Sequence, residues 1–124
     1  KVKIFNTMIK NIKKLISNLF NSLNGLKLSL KEHSFFSEII LGILLIPILI
    51  IFENDNFTRL LIIVNYFMLL AFELINTSIE KLSDKINKNY DPDIKKIKDI
   101  SSAAVFIILL LLITLIIYLF FISS

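Results

Sequence analysis

The sequence has no cysteine, one histidine, two glycines and two prolines among its 124 residues. Without cysteine there is no disulfide scaffold, no thiol nucleophile and no cysteine-ligated metal module. The lone His33 has no serine–histidine–aspartate set to join, and it reads as an interfacial bystander rather than a ligand. Gly25 and Gly42 are too few and too far apart to form a glycine-rich phosphate loop. Charge is also scarce: 19% of the residues are ionised at neutral pH, against about 25% in soluble domains. What fills the chain instead is apolar surface, with 56% hydrophobic residues and a mean hydropathy of +0.78. That composition excludes a disordered tail, and because the apolar residues fall in three long blocks it points to a small integral membrane protein.

The last block, 103–122, is 20 residues in which only Thr114 and Tyr118 carry polar groups. As a helix it is about 30 Å long, the thickness of a bilayer's hydrocarbon core. In lipid every backbone group must be bonded internally, which leaves a helix as the single-chain solution. The first block has 14 residues without a polar side chain, Ile39–Phe52, and becomes a span when extended back to Phe35. Pro47 lies inside it, tolerated in a membrane helix and expected to kink it. The middle block, 60–79, holds Asn65, Glu73, Asn76, Thr77 and Ser78; its first thirteen positions are as apolar as the other spans, and polarity gathers in its last third.

Charge sets the orientation. Seven lysines and no acid precede Glu32, and six more lysines lie between Lys81 and Lys98. The connection Glu53–Arg59 holds one arginine against two acids. The positive-inside rule therefore puts the N-terminus and the Lys-rich connection in the cytoplasm, and the short acidic loop and C-terminus outside. Before the first span, Val2, Phe5, Met8, Ile9, Ile12, Leu15, Ile16, Leu19, Phe20 and Leu23 recur at three- and four-residue steps, with Lys10, Lys13 and Lys14 between them. The spacing predicts an amphipathic helix on the cytoplasmic membrane surface, broken at Asn24–Gly25; packing on partner protein is the alternative. The expected architecture is all-α: a single membrane domain over 1–124, with a surface helix region at 1–31, spans at 35–52, 60–79 and 103–122, and a cytoplasmic extension and loop at 80–102.

An ionisable side chain inside a span costs about 2.5–3.5 kcal/mol on insertion scales and marks function by default. Glu73 is followed at steps of three, four, seven and eleven by Asn76, Thr77, Glu80 and Asp84, which places all five on one helix face. A carboxyl taken out of water suits proton exchange, whereas one at the surface stays ionised and suits a hard cation such as Mg²⁺. The alternative is that Glu73 pairs with a polar group on a neighbouring helix and holds the bundle together. A second polar cluster, Asn89, Tyr90 and Asp91 with Lys98 and Asp99, precedes the last span. Lysines beside a helix N-terminus attract phosphate, and Ser101 or Ser102 is a candidate cap for that helix.

The run Glu73-Leu-Ile-Asn-Thr-Ser-Ile-Glu80, then Asp84, then Lys98-Asp99-Ile-Ser-Ser-Ala-Ala-Val105, resembles the prokaryotic diacylglycerol kinase family, whose signature is E-[ILV]-[LIV]-N-[ST]-[AS]-I-E followed by K-D and a run of small residues. Lys31-Glu32-His33-Ser34-Phe35 resembles its entry to the first span, and Asn56-Phe-Thr-Arg59 its stretch before the second. The chain departs from it where relatives read F-R-Q-E and Phe35-Phe-Ser-Glu38 stands here, and where Ser101 replaces a common glycine.

The resemblance implies an ATP- and Mg²⁺-dependent lipid kinase of the bacterial inner membrane, making phosphatidic acid from diacylglycerol. It implies a homotrimer with active sites shared between subunits and no nucleic-acid partner. Glu73 is implied as the catalytic base, with Glu32 and Glu80 holding Mg²⁺. Glu32, Glu80, Asn89, Tyr90, Asp91, Lys98 and Asp99 would meet the nucleotide, joined by Lys13 or Lys14 in place of the family's surface-helix basic residue. Asn76, Ser102, Phe35 and Arg59, with Glu73, would meet the lipid. Undecaprenol kinase activity is the alternative within the family. A proton-coupled transporter and a non-catalytic assembly subunit are the alternatives outside it.

Overall fold

The computed structural model describes residues 2–52 and 55–121. The chain forms four helices: α1 (Val2–Ser29), α2 (His33–Phe52), α3 (Asn56–Ile86) and α4 (Pro92–Phe121). Three of them, α2, α3 and α4, are long and apolar enough to cross a membrane. Residue 122 of the expected last span, and Glu53 and Asn54 of the short acidic connection, lie outside the described residues.

Helix α1 runs through Asn24 and Gly25 without the expected break. A glycine inside a helix costs about 1 kcal/mol relative to alanine, which weakens a helix but does not end it, and Gly25 has no positive φ. The chain turns instead at 30–32, where the backbone N–H groups of Leu30, Lys31 and Glu32 donate to the carbonyls of Leu26, Leu28 and Ser29. Helix α2 continues through Pro47.

Hydropathy marks where lipid would begin, not where a helix begins. Helix α3 starts four residues before the predicted span because Asp55 caps it, accepting from Thr58 N at 2.8 Å and Thr58 Oγ1 at 2.7 Å. These bonds, the side-chain one first, hold the Asp55 carboxyl below the usual carboxylate range. Helix α4 starts eleven residues before its span. Pro92 takes the first helical position, where its missing N–H costs nothing, and Asp91 Oδ1 accepts from Asp93 N at 2.9 Å and Ile94 N at 3.2 Å. The Ile94 and Asp93 amides hold the Asp91 carboxyl low as well. Asp91 is therefore the cap; Ser101 and Ser102 sit inside the helix, and Lys98 lies in its second turn rather than at its N-terminus. Along this polar stretch Lys95–Asp99 at 2.6 Å and Lys96–Asp93 at 2.9 Å add ion pairs of helical spacing.

At 1.5 Å per residue α3 and α4 are each about 45 Å long, about 15 Å more than the hydrocarbon core. Of the stretch 80–102, only 87–91 is outside a helix. The two helices thus make a hairpin whose closed end is charged, and Lys98 Nζ to Asp84 Oδ1 at 2.9 Å joins them there. Helix α3 is central, packing along α4 for much of its length and less extensively on α2. The seam between them is Leu45 and Leu49 of α2, Ile62, Tyr66 and Leu69 of α3, and Ile108, Leu112 and Leu119 of α4. Outside that seam large apolar side chains stay exposed in the single chain, among them Ile43, Leu44, Ile51, Phe106 and Ile107, as a lipid-facing or subunit-facing surface requires.

The α2–α3 contact depends on one small residue. Gly42 is buried, and a Cβ built there would fall on the Tyr66 ring. The missing side chain lets the ring lie across α2 and its hydroxyl donate to the Glu38 carbonyl at 3.1 Å. Gly42→Ala should therefore destabilise the folded chain by about 1–3 kcal/mol through overpacking. In a Tyr66→Leu background the same change should cost less than half as much, measured by denaturant titration in micelles.

Candidate active site

The buried face of α3 changes character along its length. Thr58, Ile62, Asn65, Tyr66 and Leu69 continue as Glu73, Asn76, Thr77 and Ser83, one stripe that mixes apolar residues with Thr58 and Asn65 in its first half and is wholly polar toward the closed end of the hairpin. Glu73 is 4% exposed and Asn76 7%, while Glu80 is half-buried and Asp84 exposed.

No hydrogen bond or ion pair among the described residues engages the Glu73 carboxyl. On the neighbouring helix α2, Glu38 Oε2 is likewise enclosed without a hydrogen-bond partner. A carboxyl that merely joined helices would sit against a donor or a cation. Asn76 Nδ2 reaches toward Glu80 Oε1 at 3.4 Å, and Asn76 Oδ1 is buried with no partner.

Sequence reasoning gave Glu38 no role. Phe35, Glu38, Gly42, Leu45 and Leu49 recur at helical spacing, and four of the five are the buried face of α2; that periodicity is the signal that could have found it.

The other residues divide into two groups. Glu32, in the α1–α2 turn, meets α3 through Lys81, whose Nζ lies 2.5 Å from Glu32 Oε1. Asn89, Tyr90, Asp91, Lys98 and Asp99 line one cavity of about 390 Å³ at the closed end of the hairpin, together with Asp84, Lys88 and Lys95. Phe35 lines an apolar cavity of about 430 Å³ with Leu26, Leu30, Ile39, Phe67, Leu70, Ala71 and Leu74.

Three predicted groups are not gathered in by the single chain. Lys13 and Lys14 are exposed in mid-α1, about 24 Å along the helix from its C-terminal end. Arg59 is at the opposite end of α3 from the acids, about 21 Å from Glu73 along the axis. Ser102 is exposed on α4. Among the described residues, no group of three or more His, Asp or Glu side chains converges as a metal centre.

The sequence profile described as prokaryotic diacylglycerol kinase matches residues 20–120, which takes in α2, α3, nearly all of α4 and the last third of α1. A diacylglycerol kinase of Helicobacter pylori (strain J99) is 36% identical over 99 residues, 79% of this chain and 77% of the relative. One from Haemophilus influenzae is 33% identical over 94 residues, 75% of this chain and 80% of the relative. One from Pseudomonas aeruginosa is 28% identical over 97 residues, 77% of this chain and 79% of the relative. The transporter and assembly-subunit alternatives have no such support. The chain belongs to the prokaryotic diacylglycerol kinase family, a family of membrane-bound lipid kinases.

Proposed function

We propose that the protein transfers the γ-phosphoryl group of ATP to the hydroxyl of diacylglycerol, giving phosphatidic acid and ADP at the cytoplasmic face of the bacterial inner membrane. The observation that carries this reading is Glu73: buried, with no donor or cation engaging it. In this reading its carboxyl is the general base for the lipid hydroxyl. As the lipid oxygen bonds to the γ-phosphorus, Glu73 takes the hydroxyl proton, the bridging bond to ADP breaks, and phosphatidic acid forms.

The lipid hydroxyl sits at headgroup level and ATP arrives from the cytoplasm, so the reacting atoms meet at the inner membrane surface. The α3–α4 hairpin extends past the hydrocarbon core there, its lysines on the side that the positive-inside rule assigns to the cytoplasm. Phosphoryl transfer needs mainly positioning and charge neutralisation. Lys98 and the cavity formed by Asn89, Tyr90, Asp91 and Asp99 suit the nucleotide. The apolar cavity beside Phe35 suits an acyl chain, with Asn76, Ser102 and Arg59 further along the lipid's path.

Glu32 and Glu80 fit a hard cation by their chemistry, since both offer partly accessible carboxylate oxygens. Mg²⁺ commonly rests on one or two carboxylates and completes its shell with phosphate oxygens and water, which accords with the absence of a three-acid cluster among the described residues. When bound there it would neutralise charge on the transferring phosphoryl group.

Lys13 and Lys14 are not among the residues that line this chain's own nucleotide cavity. A homotrimer, in which the surface helix of one subunit lies against the next, would bring them in and cover the exposed apolar faces of α2 and α4. The amphipathic pattern of α1 and its lysines suit an interfacial position on anionic lipid.

Kinetics on purified variants test the assignment. Glu73→Gln should lower kcat at least 100-fold while helicity and elution volume stay unchanged. Glu80→Ala and Glu32→Ala should chiefly raise the Mg·ATP concentration required. An active Glu73→Gln enzyme would remove the base from the mechanism.

Offering labelled ATP with diacylglycerol and undecaprenol in parallel should give labelled phosphatidic acid. Label in undecaprenyl phosphate alone would move the protein to the other substrate class of the family.

A further inference from the structure

Two adjoining cavities on one flank of α3 differ sharply in chemistry. One, of about 310 Å³, is lined in part by Ser29 at the end of α1, Lys31 and Glu32 of the turn, and Thr77, Ser78 and Lys81 of α3. The other, of about 330 Å³, is lined by Leu74, Ile75, Ser78, Ile79 and Leu82. Ser78 belongs to both, so a basic recess continues into an apolar groove that runs about 12 Å along the helix axis. Neither includes Glu73, Asn76 or any residue of the cavity at the closed end of the hairpin.

The basic recess carries two ammonium groups against one carboxylate. Glu32 accepts from Lys81, which uses one of the three donors of that ammonium. No hydrogen bond or ion pair among the described residues engages the Lys31 ammonium. Gly25 adds no side chain to the rim, and a Cβ built there would meet nothing within 4 Å. The recess thus has donors, net positive charge and room, which suit a phosphate. Its height suits a lipid. Lys81 lies two residues beyond the expected span 60–79, and Lys31 four before 35–52. Both ammonium groups therefore stand at headgroup level, on the side that the positive-inside rule assigns to the cytoplasm. Leu74, Ile75 and Ile79 lie inside the span, at acyl-chain depth, and Ile75 is 56% exposed.

We propose that this flank binds one anionic phospholipid, with its phosphate at Lys31 and Lys81 and an acyl chain along Leu74, Ile75 and Ile79. Basic pockets beside membrane helices on the cytoplasmic side select anionic headgroups, because each lysine near the surface attracts their charge. A zwitterionic lipid brings a choline ammonium as well, which the same lysines repel. Bound there, the lipid joins the α1–α2 turn to α3 and adds to the tie that Lys81 and Glu32 make. The site is apart from the catalytic face and does not depend on which hydroxyl the enzyme phosphorylates.

The chain has no tryptophan, so Ile75→Trp supplies a single fluorophore in the groove. The full chain is placed in phosphatidylcholine vesicles without nucleotide or divalent cation. Brominated phosphatidylglycerol, or brominated phosphatidylcholine in its place, quenches the fluorophore according to how often each lipid occupies the groove. Phosphatidylglycerol should bind about fivefold more tightly than phosphatidylcholine. Adding Lys31→Met with Lys81→Met should bring that ratio close to one. Lys10→Met with Lys27→Met, which removes the same charge outside the recess, should leave the ratio unchanged, with circular dichroism checking each fold. An equal loss in both double variants would reduce the preference to diffuse surface charge and overturn the site. Equal quenching by the two lipids in the Ile75→Trp chain would overturn it too, as would no quenching by either, which would put another subunit over the groove. Inorganic phosphate at constant ionic strength should not change the quenching; displacement of phosphatidylglycerol by it would mean that the recess takes free phosphate and not lipid.

Discussion

A carboxyl group buried among helices with no cation beside it is the constraint on which the rest of this structure depends. Isolated in an apolar medium, an ionised carboxylate is unfavourable by several kcal/mol. Glu73 is nevertheless placed on the packed face of α3, 4% exposed, rather than on a flank where it could reach water. The apolar seam of Leu45, Leu49, Ile62, Leu69 and Leu112 holds α2 and α4 against α3, and that packing keeps the acid enclosed. Tyr66 lying across Gly42 and donating to the Glu38 carbonyl holds α2 close to α3.

The second constraint is length. Helices α3 and α4 are each longer than a bilayer core is thick, and the excess of both lies at the end where they are joined. Glu80 and Asp84 of one helix are therefore carried out to the level of Lys98 and Asp99 of the other, with Asp84–Lys98 closing the gap. A chain of three spans has little surface with which to enclose a ligand, and the hairpin's charged end is a rigid, polar wall with a cavity against it. Helical scaffolding holds functional groups more tightly than loops do, and only 87–91 interrupts it here.

Much of this was legible in the sequence. Twenty-residue apolar runs announce spans because lipid admits no unpaired backbone, and the step pattern from Glu73 to Asp84 announces one face because helical geometry is fixed. Helix ends were less legible: Asp55 and Asp91 start their helices in polar sequence, where hydropathy is silent, and Gly25 was read as a break although one glycine only weakens a helix. Least legible were contacts between distant segments. Nothing local in Gly42 announces Tyr66, and nothing in Lys81 announces Glu32, because both pairings depend on how α2 and its preceding turn sit on α3. The separation of Lys13, Lys14 and Arg59 from the acids is likewise a property of helix lengths, invisible to motif matching.

The absence of cysteine makes the central claim directly measurable, since a single introduced thiol carries the only label. Nitroxide placed in turn at positions 73, 75 and 84, in vesicles, reports depth and surroundings through its collisions with oxygen and with a water-soluble nickel complex. The account requires position 73 to lie just beneath the headgroups on the same side as position 84, shielded from both colliders, with position 75 open to oxygen from lipid. Position 73 in the opposite leaflet, or as open to oxygen as position 75, would contradict it.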